Sequence, residues 1–78
     1  MPEKEVTVYT QPGCAPCHAV VEFLNQNNVP FEQKDIRSNP QYIQELQQLG
    51  ASATPTTVIG DEVIIGFDKM EIQKKLNL

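Results

Sequence analysis

The chain has 78 residues, of which 40% are hydrophobic and 21% charged, and it carries a net charge of −4 and two cysteines. This length predicts a single domain over residues 1–78. The acidic balance argues against nucleic acid or an anionic membrane surface as a partner, because both attract basic faces, and no apolar run approaches the roughly 18 residues of a membrane-spanning helix. Residues 1–5 are polar and lack the apolar core of a secretory signal, so we expect a cytoplasmic protein.

The first half of the chain alternates strand and helix patterns. Residues 6–9 are rich in β-branched and aromatic side chains and are followed by the turn residues 11–13. A helix then begins around Cys14 and ends at residues 27–28, and residues 31–36 form a second strand. The apolar positions of this helix recur at helical spacing: Val20, Phe23 and Leu24.

A second helix is predicted from its start and stop signals. Residues 38–41, Ser-Asn-Pro-Gln, offer a cap, a first-turn proline and a capping-box glutamine at Gln41. Gly50 ends the helix. The side chains predicted to face inward are Ile43, Leu46 and Leu49.

The last part of the chain predicts a hairpin and a third helix. The strands Thr56–Ile59 and Glu62–Ile65 flank a two-residue Gly-Asp loop, and Asp68 with Glu71 caps a helix. This helix has Ile72 and Leu76 on its inner face. The order β-α-β-α-β-β-α predicts an α/β fold with one four-stranded mixed sheet flanked by helices.

Both cysteines lie in the run Cys14-Ala15-Pro16-Cys17-His18. A C-x-x-C pair beside a βαβ pattern is typical of thiol redox chemistry, whereas C-x-x-C-H is also the signal for c-type haem attachment, and two close thiols can bind a metal. In a reducing cytoplasm such a pair is catalytic or metal-binding more often than structural.

The start of the first helix assigns the two cysteines different roles. If Cys14 caps the helix, its sulfur accepts the backbone N–H of Cys17, because Pro16 has no N–H to donate. The helix dipole adds about half a positive charge at the same point, and both effects favour a thiolate. We predict that Cys14 is the exposed nucleophile with a lowered pKa and Cys17 the shielded resolving thiol. His18 is interpreted as a solvated side chain.

The strand, the Tyr-Thr-Gln-Pro-Gly segment of residues 9–13 and the C-x-x-C that opens a helix resemble the active site of the glutaredoxin branch of the thioredoxin fold. The likeness covers nearly the whole chain and implies a thiol–disulfide oxidoreductase that reduces protein disulfides or glutathione mixed disulfides. It implies a cis Thr54-Pro55 bond facing the dithiol. The residues implied to bind substrate are Gln11, Pro16, Thr54, Pro55, Gly66, Phe67 and Asp68. No bound cofactor or metal is expected, glutathione would serve as a co-substrate, and we expect a monomer.

Some positions depart from the usual glutaredoxin pattern. Gln11 stands where family members commonly have a basic residue, and residues 65–69, Ile-Gly-Phe-Asp-Lys, replace a Gly-Gly-x-Asp-Asp-like segment. Both changes weaken the expected glutathione contacts. Cys17-His18-Ala19 and Gly66-Phe67 resemble instead the small redoxins that take electrons from thioredoxin reductase and serve ribonucleotide reductase. The electron donor therefore stays open between glutathione and thioredoxin reductase.

Other classes of protein remain as alternatives. A c-type haem protein would use Cys14, Cys17 and His18, with Met70 as a distant axial ligand, but Pro16 and the β-rich segments argue against it. A zinc site lacks a second Cys/His pair. A bridged iron–sulfur cluster, known among glutaredoxins, ranks low because the glutathione contacts are weakened. A redox sensor without turnover also remains open.

Overall fold

The structure is a computed structural model and describes residues 5–78. Within that range the elements follow the predicted order: β1 Val6–Thr10, α1 Ala15–Gln26, β2 Glu32–Asp35, α2 Pro40–Gln48, β3 Thr56–Ile59, β4 Glu62–Ile65 and α3 Lys69–Leu76. The prediction about a secretory signal used residues 1–5, of which residues 1–4 lie outside the described residues. No helix in the described range is both long and apolar enough to cross a bilayer.

The sheet over residues 5–78 has four strands in the order β2-β1-β3-β4. β1 pairs with β2 in parallel, because α1 carries the chain back across the sheet, and both other pairings are antiparallel. Ile59 pairs with Glu62, so the predicted two-residue hairpin loop is confirmed. The mixed α/β fold is therefore as predicted.

Side chains of β1 alternate between the two faces of the sheet. Val6 and Val8 join the apolar cluster that packs against α1 and α3, and Tyr9 joins the cluster under α2. The buried members of the first cluster are Val6, Val8, Val20, Phe23, Leu24, Ile59, Ile64 and Ile72. Those of the second are Tyr9, Leu46 and Ala51. The smaller cluster leaves the α2 face less deeply packed.

The second helix departs from its prediction at two positions. Its cap is Asn39, whose side chain accepts the Gln41 N–H at 3.0 Å, so Gln41 lies one position too early to form a capping box. Ile43 was predicted to face inward, but it is 41% exposed. The side chains of α2 that face inward are those of Tyr42, Leu46 and Leu49. Spacings of three and of four residues both fit one helix face, so the sequence pattern allows either residue 42 or residue 43 to join Leu46.

A polar cluster fastens α2 to the sheet. Glu45 Oε1 accepts hydrogen bonds from the Tyr9 hydroxyl at 2.9 Å and from Lys34 Nζ at 3.0 Å. These two donors, Lys34 first, hold the pKa of the Glu45 carboxyl below its usual value. Burial and the bond to Glu45 raise the pKa of Tyr9, and the same carboxylate raises that of Lys34.

Candidate active site

The two cysteines lie at the start of α1. Cys14 is the N-cap, and its Sγ accepts the Cys17 N–H at 3.2 Å, as the sequence predicts. Pro16, at the second helical position, is exposed and has no N–H to compete for that sulfur. Cys14 and Cys17 form a disulfide with their Cα atoms 5.2 Å apart. The cap places one donor and the positive end of the helix against the Cys14 sulfur.

The two sulfurs differ in their access to solvent. Cys17 is 3% exposed, whereas Cys14 is partly exposed. Cys14 is thus the more accessible of the pair, although it is less open than the sequence suggests. An incoming disulfide can reach Cys14, while Cys17 is held within the first turn of the helix.

A loop 40 residues further along the chain closes one side of the dithiol. The Thr54-Pro55 peptide bond is cis, as the resemblance implies. The hydroxyl and carbonyl oxygens of Thr54 each lie 3.9 Å from Cys14 Sγ. Gly66 donates its N–H to the Pro55 carbonyl at 2.8 Å, which joins the β4–α3 turn to the same loop. The structure therefore brings together Cys14, Thr54, Pro55 and Gly66.

The remaining predicted residues of the β4–α3 turn take part in other contacts. The ring of Phe67 packs edge-on against Phe23, with centroids 6.2 Å apart, and is 40% exposed. The Asp68 carboxylate accepts the Glu71 N–H at 3.2 Å and caps α3 as predicted. Lys69 Nζ lies 5.7 Å from the Phe23 ring centroid. These contacts fix the turn, and a substrate role for Phe67 and Asp68 stays a prediction.

A polar cleft of about 480 Å³ opens beside Cys14, between α1 and the carboxyl ends of β1 and β2. We call it the side cleft, and its lining includes Thr10, Gln11, Cys14, His18, Gln33 and Asp35. Gln11, which the resemblance implies to bind substrate, is an exposed residue of this cleft. His18, interpreted as merely solvated, also lines it. Gln33 and Asp35 were not selected from the sequence, because only strand pairing brings β2 beside the start of α1.

Comparison with known proteins identifies the family. The model of the Glutaredoxin family matches residues 6–64, a stretch that contains both cysteines and the cis Thr54-Pro55 bond. The chain belongs to the glutaredoxin family. It is a thiol–disulfide oxidoreductase with the Cys14–Cys17 pair as its redox-active dithiol.

Individual relatives are consistent with this family. The chain is similar to the Gene 56 protein of Mycobacterium phage D29, with 34% identity over 92% of this chain and 82% of that protein. It is also similar to the Glutaredoxin-like protein NrdH of Lactococcus lactis subsp. lactis (strain IL1403), with 28% identity over 88% of this chain and 96% of that protein.

Solved structures share the fold. The thioredoxin-like protein BC3987 superposes with a TM-score of 0.89 and 40% identity over 92% of this chain and all of that one. The glutaredoxin-like protein NrdH-redoxin from Escherichia coli gives 0.83 and 26% identity over 90% of this chain and 92% of that one. The mixed sheet agrees with these thioredoxin-like and glutaredoxin-like structures and argues, as the β-rich segments do, against the c-type haem protein considered above. Within residues 5–78, no three His, Cys, Asp or Glu side chains are grouped as metal ligands.

Proposed function

We propose that this glutaredoxin reduces disulfides in protein substrates of the cytoplasm, with Cys14 as the nucleophile and Cys17 as the resolving thiol. The observation that carries the proposal is the capped Cys14 sulfur, which accepts the Cys17 N–H at 3.2 Å and is the more exposed of the two. A hydrogen-bond donor and the helix dipole at one sulfur favour its thiolate, and the thiolate is the form that attacks a disulfide.

The reaction transfers two electrons in two exchange steps. The Cys14 thiolate attacks one sulfur of the substrate disulfide, forms a mixed disulfide and releases the other substrate sulfur as a thiolate, which takes up a proton. Cys17 then loses its proton and attacks the Cys14 sulfur, which releases the second substrate thiolate and leaves the Cys14–Cys17 disulfide. The substrate disulfide is reduced and the dithiol is oxidised. An external thiol donor returns the two electrons.

Thr54 supports this exchange from the opposite side. Its hydroxyl oxygen, 3.9 Å from Cys14 Sγ in the disulfide, is placed to donate a hydrogen bond to the thiolate that forms on reduction. In the family the backbone of this turn pairs with bound peptide or glutathione as an added strand. The substrate would therefore lie along Thr54 and Pro55, with its disulfide over Cys14.

In the first candidate function, glutathione returns the electrons, as in glutaredoxins generally. In the second, the protein is a redoxin that takes its electrons from thioredoxin reductase and passes them to ribonucleotide reductase. Two observations favour the second: Gln11 and Lys69 replace residues expected to bind glutathione, and the NrdH-redoxin of Escherichia coli is described as having a thioredoxin-like activity profile.

Reduction of insulin disulfides tests the proposal. The wild-type protein is recycled either by NADPH with thioredoxin reductase or by NADPH with glutathione and glutathione reductase, and the faster system identifies the donor. Cys14→Ser should abolish the activity. Cys17→Ser should retain the first step and accumulate a mixed disulfide that mass spectrometry detects. If Cys17→Ser reduces insulin at the wild-type rate, the assigned resolving role is wrong.

A further inference from the structure

The side cleft carries chemistry that the dithiol mechanism does not use. Thr10 of β1 pairs with Asp35 of β2, and Gln33 lies two residues earlier on the same strand. Residues two apart on a strand point to the same face. Gln33 and Asp35 therefore face α1 together with Thr10, and Cys14 and His18 are among the other residues that line the cleft.

Asp35 gives the side cleft a negative charge. One carboxylate oxygen, Oδ1, accepts the Arg37 N–H at 2.8 Å, which fixes the side chain in a tight turn. The ion pairs found within residues 5–78 are Lys34–Glu45 and Lys75–Glu62, so Asp35 belongs to neither. Lys34 precedes Asp35 in β2 but points to the opposite face, where it binds Glu45.

Other groups in the cleft add hydrogen-bond acceptors. The Gln33 amide nitrogen donates to Thr10 Oγ1 at 3.2 Å, and this orientation leaves the Gln33 carbonyl oxygen as an acceptor for a ligand. Gln11, an exposed residue of the lining, carries a second amide. A carboxylate with neighbouring amide oxygens binds an ammonium or guanidinium group and repels a second carboxylate.

We propose that the side cleft is a subsite for a basic side chain, Lys or Arg, that lies next to the substrate cysteine attacked by Cys14. This inference rests on the proposed function and names the class of disulfide that the site prefers. The cleft opens directly beside Cys14, and its volume of about 480 Å³ admits a long side chain with water. A substrate carrying a carboxylate at that position is disfavoured by Asp35.

Three disulfide peptides that differ only in the residue next to the attacked cysteine, Lys, Gln or Glu, test the subsite. We expect kcat/KM for the Lys peptide to exceed that for the Glu peptide about fivefold at low salt, the upper end of what a solvent-accessible ion pair contributes. The ratio should fall towards one at about 0.5 M NaCl, since screening acts on accessible charges. This salt test needs no variant.

Two variants locate the effect. Asp35→Asn keeps an oxygen for the Arg37 N–H but removes the charge, and it should bring the Lys/Glu ratio close to one. Asp61→Asn removes the same charge from the hairpin loop between β3 and β4. This loop lies at the opposite end of β1 from Cys14, since Gly60 donates its N–H to the carbonyl of Glu5, the residue before β1, at 3.0 Å. It should keep the wild-type ratio.

The outcomes separate this inference from the function on which it rests. Equal wild-type rates on all three peptides, or a Lys preference that survives Asp35→Asn, would overturn the subsite and leave the reductase intact. A preference lost equally in Asp61→Asn would also overturn it, because net charge would then explain the effect. A protein that reduces none of the peptides would overturn the proposed function together with the subsite.

Discussion

Replacing Thr57 by valine should stabilise the protein. Within the described residues, the Thr57 hydroxyl is buried without a hydrogen-bond partner. Thr57 is 0% exposed and lies in β3 between Val8 of β1 and Ile64 of β4. Both neighbours belong to the cluster that packs against α1 and α3, so the hydroxyl faces an apolar core.

The size of the effect follows from the cost of that hydroxyl. Burying a hydroxyl without a compensating hydrogen bond costs about 1–3 kcal/mol in mutational data. Valine is close to threonine in shape and puts a methyl group in place of the hydroxyl. We expect the free energy of unfolding to rise by about 1 kcal/mol, which for a domain of this size raises Tm by about 4–8 °C.

Thr56 provides a matched control on the same strand. Thr56 is also 0% exposed, but its hydroxyl donates to the Ala53 carbonyl at 2.7 Å. Thr56→Val should therefore lose about 0.5–1.5 kcal/mol, the net contribution of an ordinary hydrogen bond. Guanidinium unfolding of the oxidised proteins, followed by circular dichroism with unchanged m values, measures both. If Thr57→Val destabilises as much as Thr56→Val, the reasoning about Thr57 fails.

Three further predictions concern the site, the α2 face and the core. Thr54→Val removes a donor 3.9 Å from Cys14 Sγ, so the pKa of the reduced Cys14 thiol should rise, because the thiolate loses a hydrogen bond. Ultraviolet titration of the thiolate measures this pKa, and an unchanged value contradicts the prediction. The pKa of Glu45 is lowered by its hydrogen bonds, so its contribution to stability is present at neutral pH and lost as pH falls through that lowered pKa. Glu45→Gln should flatten this acid-side loss in urea unfolding, and an unaltered pH profile would refute it. Ile72 is 0% exposed, so Ile72→Ala should lower the free energy of unfolding by about 2–5 kcal/mol in urea unfolding. Met70 lies on the same helix and is 79% exposed, so Met70→Ala should change that free energy by no more than about 0.5 kcal/mol. Equal losses in the two variants would show that burial does not decide the cost.

The start of α1 could be predicted because its signals are local. Gly13 has a φ of +75°, Cys14 caps the helix and Pro16 leaves the Cys17 N–H as the donor. All of these interactions act within about one helical turn, so the residue types are sufficient to locate them. The same local geometry predicts that Cys14, at the cap, is the more accessible cysteine, and the folded chain agrees, with Cys17 3% exposed.

The second helix shows where local signals become ambiguous. Ser38 and Asn39 are both good caps, and the sequence alone does not choose between them. Likewise, Tyr42 and Ile43 lie three or four residues before Leu46 and both fit an inward stripe. The choice depends on the rotation of α2 over the sheet, which the contacts of the Tyr9 cluster decide.

The sequence by itself determined the order of elements, the position of the C-x-x-C at a helix N-terminus and the role of Cys14 as the cap, because propensity and capping act over a few neighbouring residues. Tertiary structure decided what surrounds that dithiol. Thr54 reaches Cys14 across 40 residues of chain, and Asp35 reaches the side cleft because β2 pairs with β1 in a register that only the assembled sheet defines. Contacts between distant segments depend on how helices and strands pack, and no short stretch of sequence encodes that packing.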